Sequence, residues 1–222
     1  MTSFQSRAIC PPWSAGVTTY SGYVTNGASG LTLISPEGTR YRFDPGALCL
    51  ELLTTGGPGA FARYEMLHRP DDLADWLAAS RLRLDPAAVT VDADDLAAAR
   101  RLRDALWRVA RARTRDETPP TADLAVVNDA AAGLPLIPQA GRDGSRSWRT
   151  PLTGAQVVAT FARDAVDLLT GPYTARIREC GAHDCHLVFV DTSRPGQRRW
   201  CAMERCGNRQ KARALRSRRA PG

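Results

Sequence analysis

The stretch Arg178–Arg219, RECGAHDCHLVFVDTSRPGQRRWCAMERCGNRQKARALRSRR, decides how this chain is read. It holds four of the six cysteines as two pairs, Cys180-x4-Cys185 and Cys201-x4-Cys206, with fifteen residues between the pairs. Two thiolates from each of two knuckles meet the tetrahedral, four-sulfur requirement of a closed structural Zn²⁺ site. Between the pairs, the apolar and β-branched His186–Val190, the turn chemistry of Ser193-Arg194-Pro195-Gly196 and the returning Arg198-Arg199-Trp200 read as a β-hairpin. Beyond Cys206, Asn208–Arg218 has helix formers and neither Gly nor Pro, so a helix is expected. The unit is knuckle, hairpin, knuckle, helix. It is too small to cohere by burial, and metal binding can contribute about 10–16 kcal/mol of folding free energy to such a module.

Two disulfides would use the same cysteines in an oxidising compartment. Residues 1–10, MTSFQSRAIC, lack the apolar core of a secretory signal. That expectation and the symmetric spacing favour one zinc, held by Cys180, Cys185, Cys201 and Cys206, over two disulfides or four unrelated thiols. With four thiols available, His183 and His186 are expected beside the metal or at the surface. Cys206-Gly207-Asn208-Arg209, preceded by the other cysteines, resembles the CGNR zinc finger of bacterial proteins. Such fingers usually follow an N-terminal ABATE domain, in proteins regarded as stress-linked transcription regulators. Upstream, Leu50-Glu51-Leu52-Leu53-Thr54-Thr55 is similar to the LDFxNT-like segment of that domain, with Glu51 as the acid and Thr54 where Asn is usual. Glu65–Leu77, a short loop and a helix ending in Trp76-Leu77, is a second similarity. The resemblance implies that the N-terminal domain senses a small-molecule effector or mediates homodimerisation.

Charge is unevenly distributed. The 222 residues carry a formal +7. Residues 176–222 hold twelve basic and four acidic side chains, a formal +8, while residues 1–175 sum to −1. A basic module on a near-neutral body is the electrostatic footprint of a polyanion binder. Arginine richness alone says less, since Lys211 is the only lysine and the composition is that of a GC-rich genome.

The rest of the chain reads as an α+β protein with a mostly helical N-terminal domain. Residues 1–30 are expected to be a poorly ordered extension, with a short strand near Val17–Tyr23 and a lone thiol at Cys10. Residues 31–171 form the main domain and 172–222 the finger. Leu31–Ile34 and Thr39–Phe43 flank a proline turn and read as a hairpin. Asp71 or Asp72 caps a helix that buries Leu73, Trp76 and Leu77, and His68 reads as a surface residue. Cys49 reads as core. Asp94–Arg113 is the longest helical pattern, its stripe marked by Leu96, Ala99, Leu102, Leu106, Val109 and Ala110. Its arginines (Arg100, Arg101, Arg103, Arg108, Arg111, Arg113, with Arg115 just beyond) read as a solvated face, with a second anion-binding surface as the alternative. Further helices are expected over 121–132 and 153–169, separated by a hairpin around Gly141–Gly144.

No phosphate-binding glycine loop, HExxH helix or G-x-S-x-G elbow occurs. Asp123, Asp129, Asp164 and Asp167 have the spacings of ordinary surface acids, and a four-cysteine zinc leaves no open coordination position. An enzyme is therefore not expected. No apolar stretch approaches membrane-spanning length, so the expectation is a cytoplasmic protein without membrane contact. The leading function is a zinc-finger DNA-binding transcription regulator, with Arg198, Arg199, Arg205, Arg209, Lys211, Arg213 and Arg216 as the nucleic-acid-binding set. The alternatives are RNA binding by the same patch, with Trp200 or Phe189 stacking on a base, and a zinc-stabilised protein-interaction module.

Overall fold

A computed structural model describes residues 30–35 and 37–219. The expected extension other than Gly30, the strand near Val17–Tyr23 and Cys10 lie outside the described residues. The chain enters through an antiparallel hairpin of β1 (Leu31–Ile34) and β2 (Arg40–Phe43), with Leu31 opposite Phe43 and Ile34 opposite Arg40. Period-two alternation turns Tyr41 and Phe43 to one buried face. Gly46, at φ 78°, then leads into a buried turn, α1 (Leu48–Glu51), continued by a 3₁₀ turn over Leu52–Thr55.

Helix α2 (Pro70–Ala79) follows. Asp72 reaches back to accept from the amides of His68 (2.8 Å) and Arg69 (2.7 Å), satisfying donors at the helix start. Leu73, Trp76 and Leu77 are buried, and His68 is exposed. A two-residue strand, β3 (Val89–Thr90), precedes α3 (Ala93–Thr114), which is capped by Asp92 through the Asp95 amide at 2.8 Å. Next come α4 (Thr121–Ala131), the hairpin β4 (Pro138–Ala140) and β5 (Arg146–Trp148), and β6 (Leu152–Thr153), which pairs in parallel with β3. Thr153 caps α5 (Gly154–Thr170). Helices α3, α4 and α5 pack on one another, α1 lies against α5, and α2 against α3. Leu102 and Leu106 of α3 share one core with Val157, Phe161 and Leu168 of α5.

Several charges expected at the surface lie inside. Arg103 is only 1% exposed, and Glu65 grips its guanidinium with two bonds of 2.7 and 2.8 Å. Asp123, also buried, takes a two-bond contact from Arg108. Asp164 is buried and accepts from the Cys49 amide at 2.8 Å. Each is inside because a partner there replaces the water it loses. The arginines of α3 are therefore not a uniform solvated face: Arg100 leans toward Glu65 (3.4 Å) and Arg111 toward Glu179 (3.4 Å).

In the C-terminal module, β7 (Ile177–Glu179) pairs antiparallel with β8 (Val188–Val190). This corrects the expected hairpin: β8 pairs upstream across the first knuckle, not downstream with Arg198–Trp200. The cysteine knuckle is itself the reversing loop, closed by the Cys180 amide donating to Leu187 O at 2.9 Å. A π-helical turn, Met203–Gly207, passes directly into α6 (Asn208–Arg219). The architecture is the expected one, a mostly helical body with short strand pairs and a C-terminal cysteine module. Its packing differs in one respect. Tyr41 and Phe43 cluster with Cys180, Ala182, Cys185, Phe189, Cys201 and Cys206, so the hairpin β1–β2 completes the core of the finger rather than that of the body. No helix among the described residues is long and apolar enough to cross a membrane.

Candidate metal centre

The β7–knuckle–β8 unit presents Cys180 and Cys185, the following loop returns Cys201, and the π-helical turn sets Cys206 at the foot of α6. All four are buried, and their sulfurs lie within 4.8 Å of one another. Cys185 Sγ is 3.7 Å and Cys206 Sγ 3.5 Å from Cys201 Sγ. Zn–S bonds of about 2.3 Å in a tetrahedron place sulfurs about 3.8 Å apart, whereas a disulfide needs about 2.05 Å. The four thiols are free, and they are positioned to bind one zinc ion. Cys49, buried in the body, takes no part.

Four thiolates and one Zn²⁺ carry a net −2, and the surroundings offset it. The Cys201 amide donates to Cys180 Sγ at 3.3 Å, Arg205 Nη1 approaches Cys185 Sγ at 3.8 Å, and Arg209 Nη2 approaches Cys206 Sγ at 3.6 Å. Hydrogen bonds from the Cys185 and Cys201 thiols push the Cys180 thiol well down in pKa. The bond with Cys180, another with Cys185 and burial push Cys201 up. A dication displaces these protons, since ligation requires the thiolate form. The metal would supply structural cross-linking there.

Neither histidine belongs to the sulfur cluster. His186 Nδ1 is held by Glu179 Oε1 at 2.7 Å. His183 is largely exposed, with Asp184 Oδ1 and Arg213 Nη1 each 3.3 Å from its Nδ1.

The basic residues of the finger divide into two sets. Arg198 donates to Trp200 O (3.1 Å), Asp44 O (2.9 Å) and Cys201 O, with its guanidinium 4.1 Å from the Phe189 ring centre. Arg205 turns to Tyr41 Oη (3.1 Å) and a sulfur, and Arg209 to Asp184 Oδ1 (2.6 Å) and a sulfur. These three, expected on the nucleic-acid surface, are directed to protein instead, because the sulfur cluster and the carbonyls around it need donors. Arg199, Lys211, Arg213 and Arg216 are exposed. Phe189 is fully buried, and Trp200 is half-buried against the cysteine cluster. Sequence reasoning missed the sulfur-facing role of Arg205 and Arg209. Its one available signal was their position, one residue before and three after Cys206, within one helical turn of the ligand.

Residues 46–172 match the family model ABATE, described as "Putative stress-induced transcription regulator". Residues 176–219 match that of the CGNR zinc finger. No curated protein matches the chain at a significant level.

Proposed function

This chain belongs to the ABATE family, with a CGNR zinc finger as its C-terminal module, and on that premise we propose that it is a DNA-binding transcription regulator, not an enzyme. The finger contacts duplex DNA through α6, and the ABATE domain senses a ligand or partner. One observation carries the reading. Helix α6 is mounted on the metal site by its first turn, packs chiefly on the π-helical turn beneath it, and has no acidic residue. Lys211, Arg213 and Arg216 stand exposed beyond that anchor, with Arg199 exposed on the adjoining loop. A rigidly based, cationic helix is suited to phosphate contacts, and arginine also to the paired acceptors of guanine. Stacking on RNA bases has less support, since Phe189 is buried and Trp200 packs against the cysteine cluster.

The test is a duplex-DNA titration across a salt series, with heparin as competitor. Zinc-loaded protein is compared with Lys211→Ala/Arg213→Ala/Arg216→Ala. Expected is binding that weakens steeply with salt, and a log–log slope smaller by roughly one for each cation lost, about three in all. Zinc content should not change. A Cys201→Ser/Cys206→Ser variant should lose both zinc and binding. Stoichiometric zinc with no affinity for any nucleic acid would replace this reading with a protein-interaction module. Displacement of duplex DNA by single-stranded RNA would favour the RNA reading.

A further inference from the structure

A cavity of about 430 Å³ opens where the hairpin β1–β2, the helical body and the finger meet. That volume falls in the range of small-molecule sites, which are mostly apolar with a few convergent polar groups. Phe61 and Trp107, ring centres 4.2 Å apart, form an aromatic corner on the body side. The edge of this corner meets His186, whose ring centre lies 5.3 Å from that of Phe61.

Polar groups gather at the finger end. Arg205 lines the cavity, and its Nη1 is engaged by Tyr41 Oη and Cys185 Sγ. Its Nε is closed off from the cavity, so the guanidinium offers a ligand its positive charge rather than that donor. His186 has Nδ1 tied to Glu179, which leaves its second ring nitrogen for a ligand. Asp184 also lies in the wall, but Arg209 holds it at 2.6 Å and offsets its charge.

We propose that this cavity binds a small aromatic anion of two or three rings, its rings against Phe61 and Trp107 and its carboxylate or sulfonate at Arg205. The inference deepens the ligand-sensing half of the proposed function and rests on that reading. It places the effector where one side chain, Arg205, touches both the ligand space and a metal-site cysteine.

The test omits DNA, so that its failure is separate from failure of the DNA-binding reading. Full-length, zinc-loaded protein is titrated by fluorescence with 1-anilinonaphthalene-8-sulfonate and with its uncharged counterpart, N-phenyl-1-naphthylamine. Expected is one dye per chain, with the sulfonate binding about tenfold more tightly, as one charge-assisted hydrogen bond would give. Thr54→Phe, which fills the body side of the cavity away from the cysteines, should weaken both dyes at least about tenfold. Arg205→Gln should remove the preference for the sulfonate. If that variant loses zinc, the two dyes on the unaltered protein and Thr54→Phe decide the matter. Equal affinity for the two dyes would overturn the anionic class. Binding unchanged in Thr54→Phe, or absent altogether, would overturn the site.

Discussion

A guanidinium withdrawn from water has to find its acceptors inside the protein, and Arg103 does so. Glu65 takes two of its donors and Asp104 takes Nε at 2.9 Å. Arg103→Met would leave Glu65 partly buried without its main partner, and removing one member of such a pair costs about 3–5 kcal/mol. Urea denaturation should show that loss, and Arg103→Met/Glu65→Gln should recover much of it. The pair also sets a pH dependence. Burial pulls the Glu65 carboxyl up, but the Arg103 hydrogen bonds, the Leu67 amide and the charges of Arg103 and Arg100 together outweigh it, so the net shift is downward from 4.5. A carboxylate whose pKa is lower in the folded state contributes stability above its unfolded value and loses it as pH falls through the folded one. Glu65→Gln should therefore flatten the fall in urea midpoint on acidification below about pH 4.5. An unaltered acid profile would show that the pair does not carry this dependence. None of this was readable in the chain. Arg103 adjoins the stripe residue Leu102, and nothing local announces that an acid 38 residues earlier will face it.

At the scale of elements, the legible parts are those specified by neighbours. Apolar residues three and four apart mark the buried stripe of α3, and its cap is written beside it. Asp92→Ala should cost about 1 kcal/mol in a urea titration, since the cap satisfies an otherwise orphaned amide. The four cysteines were legible for the same reason: each pair sits five positions apart in the chain, and the chemistry of sulfur does the rest. Strand partners were less so. Ser193–Gly196 has turn chemistry that signals a reversal without saying which strands flank it, and β8 found β7 through the knuckle. The parallel pairing of β3 with β6, Val89 opposite Leu152, has no local signal at all. Nor did the positive charge of the finger reveal its destinations. Arg198, Arg205 and Arg209 look like Arg213 in sequence, and what separates them is the carbonyls and sulfurs within reach.

For the whole molecule, the two clusters of buried side chains predict how it comes apart. One is centred on the helical body and takes in Ile177, Val188 and Val190 of β7 and β8, and the other joins the cysteines to Tyr41 and Phe43. Stripping zinc with a chelator should therefore loosen the finger and the hairpin β1–β2 together, while α3, α4 and α5 persist. Hydrogen exchange should show protection lost over residues 31–43, 180–187 and 199–207 and kept over 96–112 and 157–168. Loss confined to the finger would mean that the hairpin is held by the body after all. The same arrangement has a consequence for how the protein is made. Arg198 holds the carbonyl of Asp44, 154 residues earlier in the chain. At about 5–20 residues per second, a ribosome needs roughly 8–30 s to bridge that gap. For much of that interval Tyr41 and Phe43 are outside the ribosome while the residues that cover them are still untranslated. Every newly made copy thus passes through a stage with Tyr41 and Phe43 uncovered, which ends when the finger, made later, takes up its metal.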